Sequence, residues 1–526
     1  MTRCLLASSL AALLAASGPL DSALAHLSAV RMRADVAFLS SKSLAGRRSG
    51  LPGGEIAAEF LAAEMEKAGL RPAAGSNFLQ TIPVVEFEVD AAASSLTLAG
   101  KTLPRAGNFT CNFPESVRLS ARVVFAGYGI TAPELGYDDY AGIDVRGKWA
   151  LVLPGEPQRQ NRDSIFNGPG DTIYAGPRLK ILNAQQHGAA GVLLLPGPAP
   201  EAPRVTGSGG SPAAPRPSQA LARSRLVIPL VTLLAPAAAD LLPNRRELAE
   251  KIDSAGRPAS FALPGAGVTL DHRISGSLPI PSANVAGWIE GSDPRLKAET
   301  IIVCAHHDHL GASGDAYFPG ANDNASGAAA VLELARALAA SGLRPRRSVL
   351  FLIFGSEEVG LLGSYYYVQN PLRPLASTAA VVNLDMIGRN ETPSPQTDRG
   401  RWHIPADTSN ALNPIGAHYS PGLRRAIESA NAQAGLRLDF RLDADHTLNI
   451  LQRCDHYPFL LERIPSVWLF TGFHPEYHQP TDTVDRLNLD KMLKIARLAL
   501  QMIWDLANQD AAPKFVPNPG PVKDTA

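Results

Sequence analysis

Residue types that bind divalent metal ions recur in the second half of this 526-residue chain, each soon after an apolar, strand-like run. The runs and the residues that follow them are 301–305 with His306, 348–354 with Glu357 and Glu358, 379–384 with Asp385, and 464–470 with a loop that holds Tyr477 and His478. Open α/β sheets place their sites at the carboxyl ends of their strands. The pattern therefore predicts a single metal site at one edge of a single sheet.

The chemistry predicted for this site is metal-assisted hydrolysis. A two-metal hydrolase needs a carboxylate that bridges the ions, further ligands for each ion, and a base that is not a ligand. Asp323, in the turn 319–327 that enters an Ala-rich helix, is a fifth candidate ligand. Glu357 and Glu358 are adjacent, so their side chains diverge, and one can bind metal while the other faces the reacting water. Asp308 follows His306 by two residues on the same side of an extended chain, where it can orient that ligand.

The elements around these residues predict an α/β domain with an insertion. Apolar periodicity predicts helices over 52–69, 326–340, 420–435 and 489–507. Short strands broken by Gly and Pro predict a mostly-β insertion. The predicted segments are an N-terminal part of the main domain over 26–117, the insertion over 118–268, the rest of the main domain over 269–510, and a loose Pro-rich tail over 511–526.

Charge and the N-terminus indicate partners and compartment. Lys+Arg and Asp+Glu are both 49, and this zero net charge gives no support for binding to nucleic acid or to an anionic membrane. Arg3, the apolar run 4–16 and Ala23-Leu24-Ala25 predict a signal peptide over 1–25, and hence an exported mature chain that starts near His26. A retained membrane anchor is disfavoured, because the apolar run is shorter than the ~20 residues that a span needs. Periplasm and medium both stay open, as does the oligomeric state.

Three cysteines remain after the predicted cleavage: Cys111, Cys304 and Cys454. An exported protein could form one disulfide from them. Buried apolar thiols are at least as consistent with the sequence.

The metal-binding residues lie in a longer series of short motifs. In chain order these are Ala305-His306-His307-Asp308-His309-Leu310-Gly311, Gly320-Ala321-Asn322-Asp323-Asn324-Ala325-Ser326-Gly327, Gly355-Ser356-Glu357-Glu358-Val359-Gly360-Leu361-Leu362-Gly363-Ser364, Asn383-Leu384-Asp385-Met386-Ile387-Gly388, Asp455-His456-Tyr457-Pro458-Phe459 and Tyr477-His478-Gln479-Pro480-Thr481-Asp482-Thr483. Together and in this order, they resemble the M28 family of dizinc peptidases, which includes many aminopeptidases. The resemblance implies a three-layer α/β fold in which helices flank a zinc-peptidase sheet.

The resemblance also implies a role for each residue. Asp323 would bridge two zinc ions, with a cis peptide bond after it. His306 and Asp385 would complete the shell of one ion, and Glu358 and His478 that of the other. The implied catalytic residues are Glu357 as general base and then acid, Tyr477 as the oxyanion donor, and Asp308 as a carboxylate behind the ligands.

Residues 118–268 resemble a protease-associated (PA) domain. The supporting motifs are Gly127-Tyr128-Gly129-Ile130, Asp138-Asp139-Tyr140, Gly147-Lys148 and Gly188-Ala189-Ala190-Gly191. This match is looser than the peptidase match. An inserted PA domain suggests either a lid or a protein-contact surface.

Several polar residues near the motifs have more than one interpretation. His307 and His309 are predicted to support or pack rather than bind metal, since the family pattern uses only the first histidine and an extended chain points His307 away from His306. His474 could line the pocket without touching metal. Arg389 could contact substrate or pair with an acid. Cys454 stands where a serine is common in relatives.

The function predicted from these features is an exported zinc aminopeptidase that acts on peptides. The same fold could instead support carboxypeptidase action or glutaminyl cyclisation. Carboxypeptidase relatives hold the substrate carboxylate with arginines, and no arginine cluster is evident near the motifs. Cyclase relatives typically use one zinc ion, which disagrees with five ligands. A non-catalytic, receptor-like protein would lack ligands or the base, and here all are present.

Overall fold

The computed structural model describes residues 20–197, 217–397, 403–444 and 448–520. Its α-helices are Asp21–His26, Ala29–Leu39, Pro52–Lys67, Pro177–Gln186, Ala235–Leu241, Arg245–Ala255, Gly327–Ala340, Leu362–Gln369, Pro421–Ala434, Tyr457–Leu461 and Leu489–Asn508. The four helices predicted from periodicity are confirmed to within two residues at each end, because each carries a continuous apolar stripe that the core requires.

The larger sheet carries the metal-binding motifs. Its strands, in spatial order, are Arg71–Pro72, Ala283–Ile289, Ser348–Phe354, Thr300–His306, Thr378–Leu384, Ser466–Phe470, Ala411–Ile415 and Arg437–Leu438, with Leu79–Thr81 pairing beside Ala283–Ile289. The four strands predicted to lead into ligands are neighbours in the middle of this order, and all three of their pairings are parallel. Their carboxyl ends therefore meet at one edge.

Helices cover both faces of this sheet, which gives the three layers. In the strand Thr300–His306, Ile301, Val303 and Ala305 join one apolar cluster, while Ile302 and Cys304 join another on the opposite face. Strands buried on both faces read as continuous apolar runs rather than as alternation. This is why the runs stood out in the sequence. The first cluster includes Gly327–Ala340 and Leu489–Asn508, and the second includes parts of Leu362–Gln369 and Tyr457–Leu461.

A second sheet forms the insertion. Its strands, in spatial order, are Lys101–Pro104, Ser95–Leu98, Phe261–His272, Val117–Phe125, Trp149–Val152, Gly191–Leu194, Leu230–Leu233 and Phe109–Cys111. The predicted boundary at 118 differs from this arrangement, because the strands of 95–111 pair with the sheet of the insertion and not with the larger sheet. Short-range signals could not reveal that, since the partners of Ser95–Leu98 lie about 170 residues further along the chain. A three-stranded sheet of Ser218–Leu221, Val84–Val89 and Ile274–Ile280 lies at the junction.

The insertion contacts the main domain through buried polar groups. The Ile173 amide donates to the Tyr419 hydroxyl at 3.0 Å, and the Tyr457 hydroxyl donates to the Ile173 carbonyl at 3.2 Å. Phe166 and Tyr174 share one apolar cluster with Phe473 and Tyr477 beside the predicted site.

Residues near both ends of the described chain pack against the rest of the protein. The predicted cleavage point after Ala25 falls in the helix Asp21–His26, where Ala23 is fully buried. The tail expected to be loose is docked as far as residue 520, with Phe515 stacked on Tyr419 at 5.2 Å and the Val516 amide bonded to the Tyr419 carbonyl. Composition missed this contact because one aromatic residue is enough to anchor a polar segment. Residues 1–19, which hold most of the predicted signal peptide, lie outside the described ranges. Within those ranges, no helix has the length and apolar character of a membrane span.

Candidate metal centre

The two carboxylate oxygens of Asp323 face two different groups of ligands. Oδ1 lies 3.4 Å from Nε2 of His306, and Oδ2 lies 2.9 Å from Nε2 of His478. Beside the first oxygen, Asp385 Oδ1 lies 3.5 Å from His306 Nε2. Beside the second, Glu358 Oε2 lies 3.2 Å from His478 Nε2. All five residues named from the sequence converge here, in the pairing that the resemblance implied.

The donor set fits a pair of zinc ions. Zinc bound tetrahedrally at 2.0–2.1 Å separates its ligand atoms by about 3.3 Å, and the four separations above lie near that value. His306 Nε2 and Asp385 Oδ1 are buried and have no hydrogen-bond partner among the described residues. Buried polar atoms are normally paired, so two that converge on one point indicate an absent partner. The donor groups also suit zinc, since imidazole and carboxylate are common zinc ligands.

His306 presents Nε2 to the site because its other nitrogen is engaged. Its Nδ1 lies 3.2 Å from the backbone carbonyl of Asp308, which favours the tautomer with hydrogen on Nδ1. The Asp308 carboxylate was expected to orient His306, but it lies 3.8 Å from this nitrogen. It accepts instead from the amides of Glu357 and Glu358 at 2.9 and 3.3 Å. Asp308 thus fixes the turn that aims the two glutamates.

Glu357 is not one of the five predicted ligands, but it lies next to them. Its Oε2 lies 3.7 Å from His306 Nε2, and the residue is 8% exposed, at the wall of a cavity. Burial, together with the neighbouring Glu358, Asp455 and Asp385 carboxylates, raises its pKa well above the usual value, against the opposing effect of His306. A carboxylate with a raised pKa can hold a proton near neutral pH, as an acid–base group must.

Tyr477 also lines this cavity. Its ring stacks on His478 at 3.8 Å, which ties its position to that of a ligand. Burial raises the pKa of the hydroxyl well above its usual value, against the lowering effect of Arg453. The phenol therefore stays protonated and can donate a hydrogen bond. The remaining walls are Met386, Arg453, Trp468 and Phe473.

The turn that carries Asp323 is tied to the loop that carries Asp385. Asn322 and Asn324 accept hydrogen bonds from the amides of Gly388 and Met386, and Ser326 accepts from that of Ile387. Asn324 also donates to the Leu384 carbonyl. These contacts explain why the motif alternates amide, hydroxyl and small residues. The peptide bond between Asp323 and Asn324 is cis, which confirms the implied geometry.

Backbone strain gathers at the ends of the ligand strands. Ser356, Met386 and His478 have φ values of +59°, +54° and +58°. Residues other than glycine rarely adopt this region, and it persists only where the surroundings enforce it. Each of these residues precedes, follows or is a ligand or base. The strain accordingly marks this strand edge as a functional one.

The other histidines and Arg389 support the site from outside the cavity. His307 pairs with the Ala283 carbonyl, and His309 Nδ1 lies 2.6 Å from Glu358 Oε1, leaving Oε2 for metal. His309 is nevertheless close enough to the second donor group to serve as a further ligand. His474 bonds to Asn322 rather than lining the cavity. Arg389 pairs with Glu476 at 2.6 Å, which favours its reading as the partner of an acid.

The three cysteines within the described ranges, Cys111, Cys304 and Cys454, are free and buried. Cys454 donates to Asp385 Oδ2 at 2.8 Å and accepts from the side-chain amide Nδ2 of Asn383, so the thiol occupies the hydrogen-bonding role open to a serine. Only Asp385 Oδ1 is left facing His306.

Sequence reasoning missed two arginines. Arg453 lines the cavity, with its guanidinium 5.2 Å from the Phe473 ring, and its Nη2 has no hydrogen-bond partner among the described residues. Its position just before Cys454 in the motif Cys454-Asp455-His456 was the available signal. Arg47 reaches the centre from far earlier in the chain, where no local signal exists.

Comparison with known sequences agrees with this geometry. Residues 284–503 match the profile of Peptidase family M28, and residues 116–225 match that of the PA domain. The leupeptin-inactivating enzyme 1 of Streptomyces exfoliatus is 28% identical over 42% of this chain and 48% of its own length. Aminopeptidase YwaD of Bacillus subtilis is 26% identical over 41% of this chain and 43% of its own length. The chain thus spans less than half the length of these curated relatives.

Comparison with solved structures supports the fold over nearly the full length. An aminopeptidase from Aneurinibacillus sp. strain AM-1 aligns with 94% of this chain and 97% of its own, with a TM-score of 0.50 and 20% identity. At that identity the likeness concerns the fold alone.

Proposed function

Residues 284–503 of this chain form an M28 peptidase domain and residues 116–225 a PA domain, and from that premise we propose that the protein is an exported zinc aminopeptidase. It removes N-terminal residues from peptides by hydrolysis, at a centre that holds two zinc ions. The observation that carries the proposal is the Asp323 carboxylate, whose two oxygens face two separate histidine–carboxylate pairs with Glu357 beside them.

The residues present would hold the ions in a defined way. Asp323 would bridge them, His306 and Asp385 would bind one, and Glu358 and His478 would bind the other. When bound, zinc ions polarise a carbonyl and bring the pKa of a coordinated water towards neutrality. His309 and Cys454 each engage one carboxylate oxygen of a ligand, so the other oxygen remains available for metal.

Glu357 transfers the protons. It accepts one from the attacking water, holds it in a buried position where its pKa is raised, and gives it to the leaving amine. The raised pKa suits both steps, because the carboxyl can return the proton. Met386, Trp468 and Phe473 give the cavity an apolar wall that limits access of bulk water.

Tyr477 stabilises the negative charge that develops on the carbonyl oxygen. Its hydroxyl remains protonated, and its stacking on His478 fixes the ring before substrate arrives. A prepositioned donor in a buried site contributes more than the same donor in water.

The strongest alternative is recognition of a substrate carboxylate by Arg453. Its Nη2 has no hydrogen-bond partner among the described residues, and a guanidinium beside the metal ligands could hold the C-terminal carboxylate of a substrate, as carboxypeptidase action requires. The five ligands argue against a cyclase with one zinc. The presence of every ligand and of Glu357 argues against a receptor without activity.

A substrate panel with metal analysis tests the proposal. Aminoacyl anilides, dipeptides and N-blocked peptides are assayed with and without chelator, and zinc is counted per chain. We expect cleavage of the unblocked substrates, loss of activity with chelator, and two ions per chain. Cleavage of N-blocked peptides from the carboxyl end would select the carboxypeptidase alternative, and fewer than two ions at saturation would remove the bridging role of Asp323.

Export is tested separately by sequencing the N-terminus of the protein recovered outside the cytoplasm. A start near His26 is expected, although it removes the helix that buries Ala23. A start before Leu20 would move the cleavage site and retain that helix. Recovery only from the cytoplasm would overturn export itself.

A further inference from the structure

We propose that Arg47 is a positioning residue for the metal centre. Its guanidinium binds the backbone of the turn that carries Asp323. This role rests on the proposed zinc site and adds to it a residue from a segment about 240 positions before the matched peptidase region. Arg47 has no exposed surface. It is therefore not a substrate-binding group, and its effect must pass through what it touches.

The contacts of Arg47 converge on the Asp323 turn. Its Nη2 donates to the carbonyls of Gly320 and Asp323 at 2.7 and 3.1 Å, and its Nη1 donates to that of Pro319. Its Nε donates to the carbonyl of His307 at 2.7 Å. One rigid, planar group thus fixes both the turn with the bridging carboxylate and the loop that begins with His306. Only arginine offers five donors in such a fixed geometry.

A second residue of opposite charge holds the same turn by its amides. Asp482 accepts from the amides of Asn322 and Asp323 at 3.0 and 3.2 Å. Arg47 binds carbonyls of the turn and Asp482 binds two of its N–H groups, so side chains of both signs hold the backbone around Asp323. Charge-assisted hydrogen bonds are roughly twice as strong as neutral ones, which makes this turn stiff.

The charge of Arg47 also fits its surroundings. No carboxylate of the described residues pairs with it directly, and its counter-charges are Asp323, Asp482, Asp308 and Glu358. An uncompensated group of carboxylates would repel and spread before metal binds. A buried cation behind them reduces that repulsion and keeps the ligands near their final positions.

The backbone around Arg47 is built for close approach. The amides of His309 and Gly311 donate to the carbonyls of Arg47 and Gly46 at 3.3 and 3.0 Å. Gly46 has a φ of +75°, and a Cβ there would lie 2.2 Å from the Gly311 carbonyl oxygen. Glycine is thus required to bring the arginine against the metal loop.

Zinc-linked stability separates this role from a purely structural one. Arg47→Lys keeps the positive charge but not the planar set of N–H donors, and Arg47→Met removes both. The control is Arg347, which is 1% exposed and donates to the carbonyls of Leu506 and Asp510 and to Glu299. Arg347 precedes the strand Ser348–Phe354, at the end away from the metal centre. Unfolding is measured for each protein with zinc and with chelator, and zinc affinity by competition.

We expect Arg47→Lys to weaken zinc affinity by about 10- to 100-fold, the effect usual for groups that orient ligands, and Arg47→Met to weaken it further. The rise in Tm on adding zinc should shrink for both. Arg347→Lys should lower Tm with and without zinc alike and leave affinity unchanged. Equal zinc affinity in Arg47→Lys and wild type would overturn the role, and so would an equal loss in the Arg347 control. Failure of the wild-type protein to bind zinc would instead refute the proposed function.

Discussion

Two buried clusters of charged residues, one in the insertion and one in the peptidase domain, differ in how their polar atoms are paired. In the insertion, Lys180 is 1% exposed and donates to the carbonyls of Tyr128 and Gly155 at 2.5 and 2.6 Å. Asp139 accepts from two backbone amides and the Tyr137 hydroxyl. In the peptidase domain, His306 Nε2 and Asp385 Oδ1 converge with no hydrogen-bond partner in the part of the chain that the structure describes.

The difference shows that buried charge alone does not identify a reactive site. Burial perturbs pKa values in both clusters: it lowers that of Lys180 to about 7 and raises that of Asp308 to about 6. Structural networks shift pKa values as active sites do. What separates the clusters is a set of ligand atoms aimed at a common point. The comparison predicts that changes in the peptidase cluster affect chemistry, while changes in the insertion cluster affect stability.

The largest effect is expected for the base. Glu357→Gln keeps the shape of the side chain but cannot accept a proton, so kcat should fall by about 10²–10⁴-fold, the usual contribution of such a group. Zinc content, measured by atomic absorption, should stay at the wild-type level. Glu156→Gln in the insertion is the matched control, because Glu156 is also buried and accepts from the amide and the hydroxyl of Thr172. A near-normal kcat in Glu357→Gln would show that another group is the general base.

A smaller loss is expected for the oxyanion donor. Tyr477→Phe removes one hydroxyl and keeps the ring stacked on His478, so kcat should fall by about 10²-fold with little change in KM. Tyr174→Phe, whose hydroxyl bonds to Glu134 on the insertion side, serves as the control. If both variants keep full activity, Tyr477 is only a packing residue.

The insertion cluster should respond in stability and not in chemistry. Lys180→Met leaves two buried carbonyls without their donor, and each lost partner costs about 1–3 kcal/mol. The free energy of unfolding, measured in urea, should therefore drop while zinc content is unchanged. A Lys180→Met protein that unfolds normally but has lost zinc would break the comparison between the two clusters.

The smallest effect is expected for the reactivity of the buried thiols. Burial raises the pKa of Cys111 to about 11 and those of Cys304 and Cys454 well above the usual range, so native protein should react slowly with a thiol reagent at pH 8. The thiolate fraction of Cys111 rises with pH up to about 11, and its alkylation rate should rise in parallel. Protein unfolded in the absence of a reducing agent should show three reactive thiols if Cys4 is removed by cleavage, and four if Cys4 is kept. Fewer would indicate a disulfide.

Much of the centre was predictable because its signals are local. His306, Glu357, Glu358 and Asp385 follow buried strands, and a strand buried on both faces is a continuous apolar run that sequence alone reveals. Asp323 was predictable from the motif around it. The family profile matches the same region, which agrees with this reading.

The sequence could not give the contacts that join distant segments. Arg47 touches Asp323 across 276 positions, and Ser95–Leu98 pairs with Phe261–His272 across about 170 positions. Nothing in the local composition near Arg47 marks it as part of a metal centre. The sequence left two interpretations open for Arg389 and for the cysteines. The structure decides between them through the contacts of Arg389 with Glu476 and of Cys454 with Asp385.

The sequence by itself determined which side chains could bind metal and that four strands would deliver them to one edge, because strands buried on both faces read as continuous apolar runs. Only the tertiary structure decided which oxygen of each carboxylate faces the centre. Oδ1 and Oδ2 of Asp323 face opposite ligand pairs, and His309 and Cys454 occupy the spare oxygens of Glu358 and Asp385. The physical reason is that a single rotation about a side-chain bond exchanges these oxygens, and only neighbours from other segments fix that rotation.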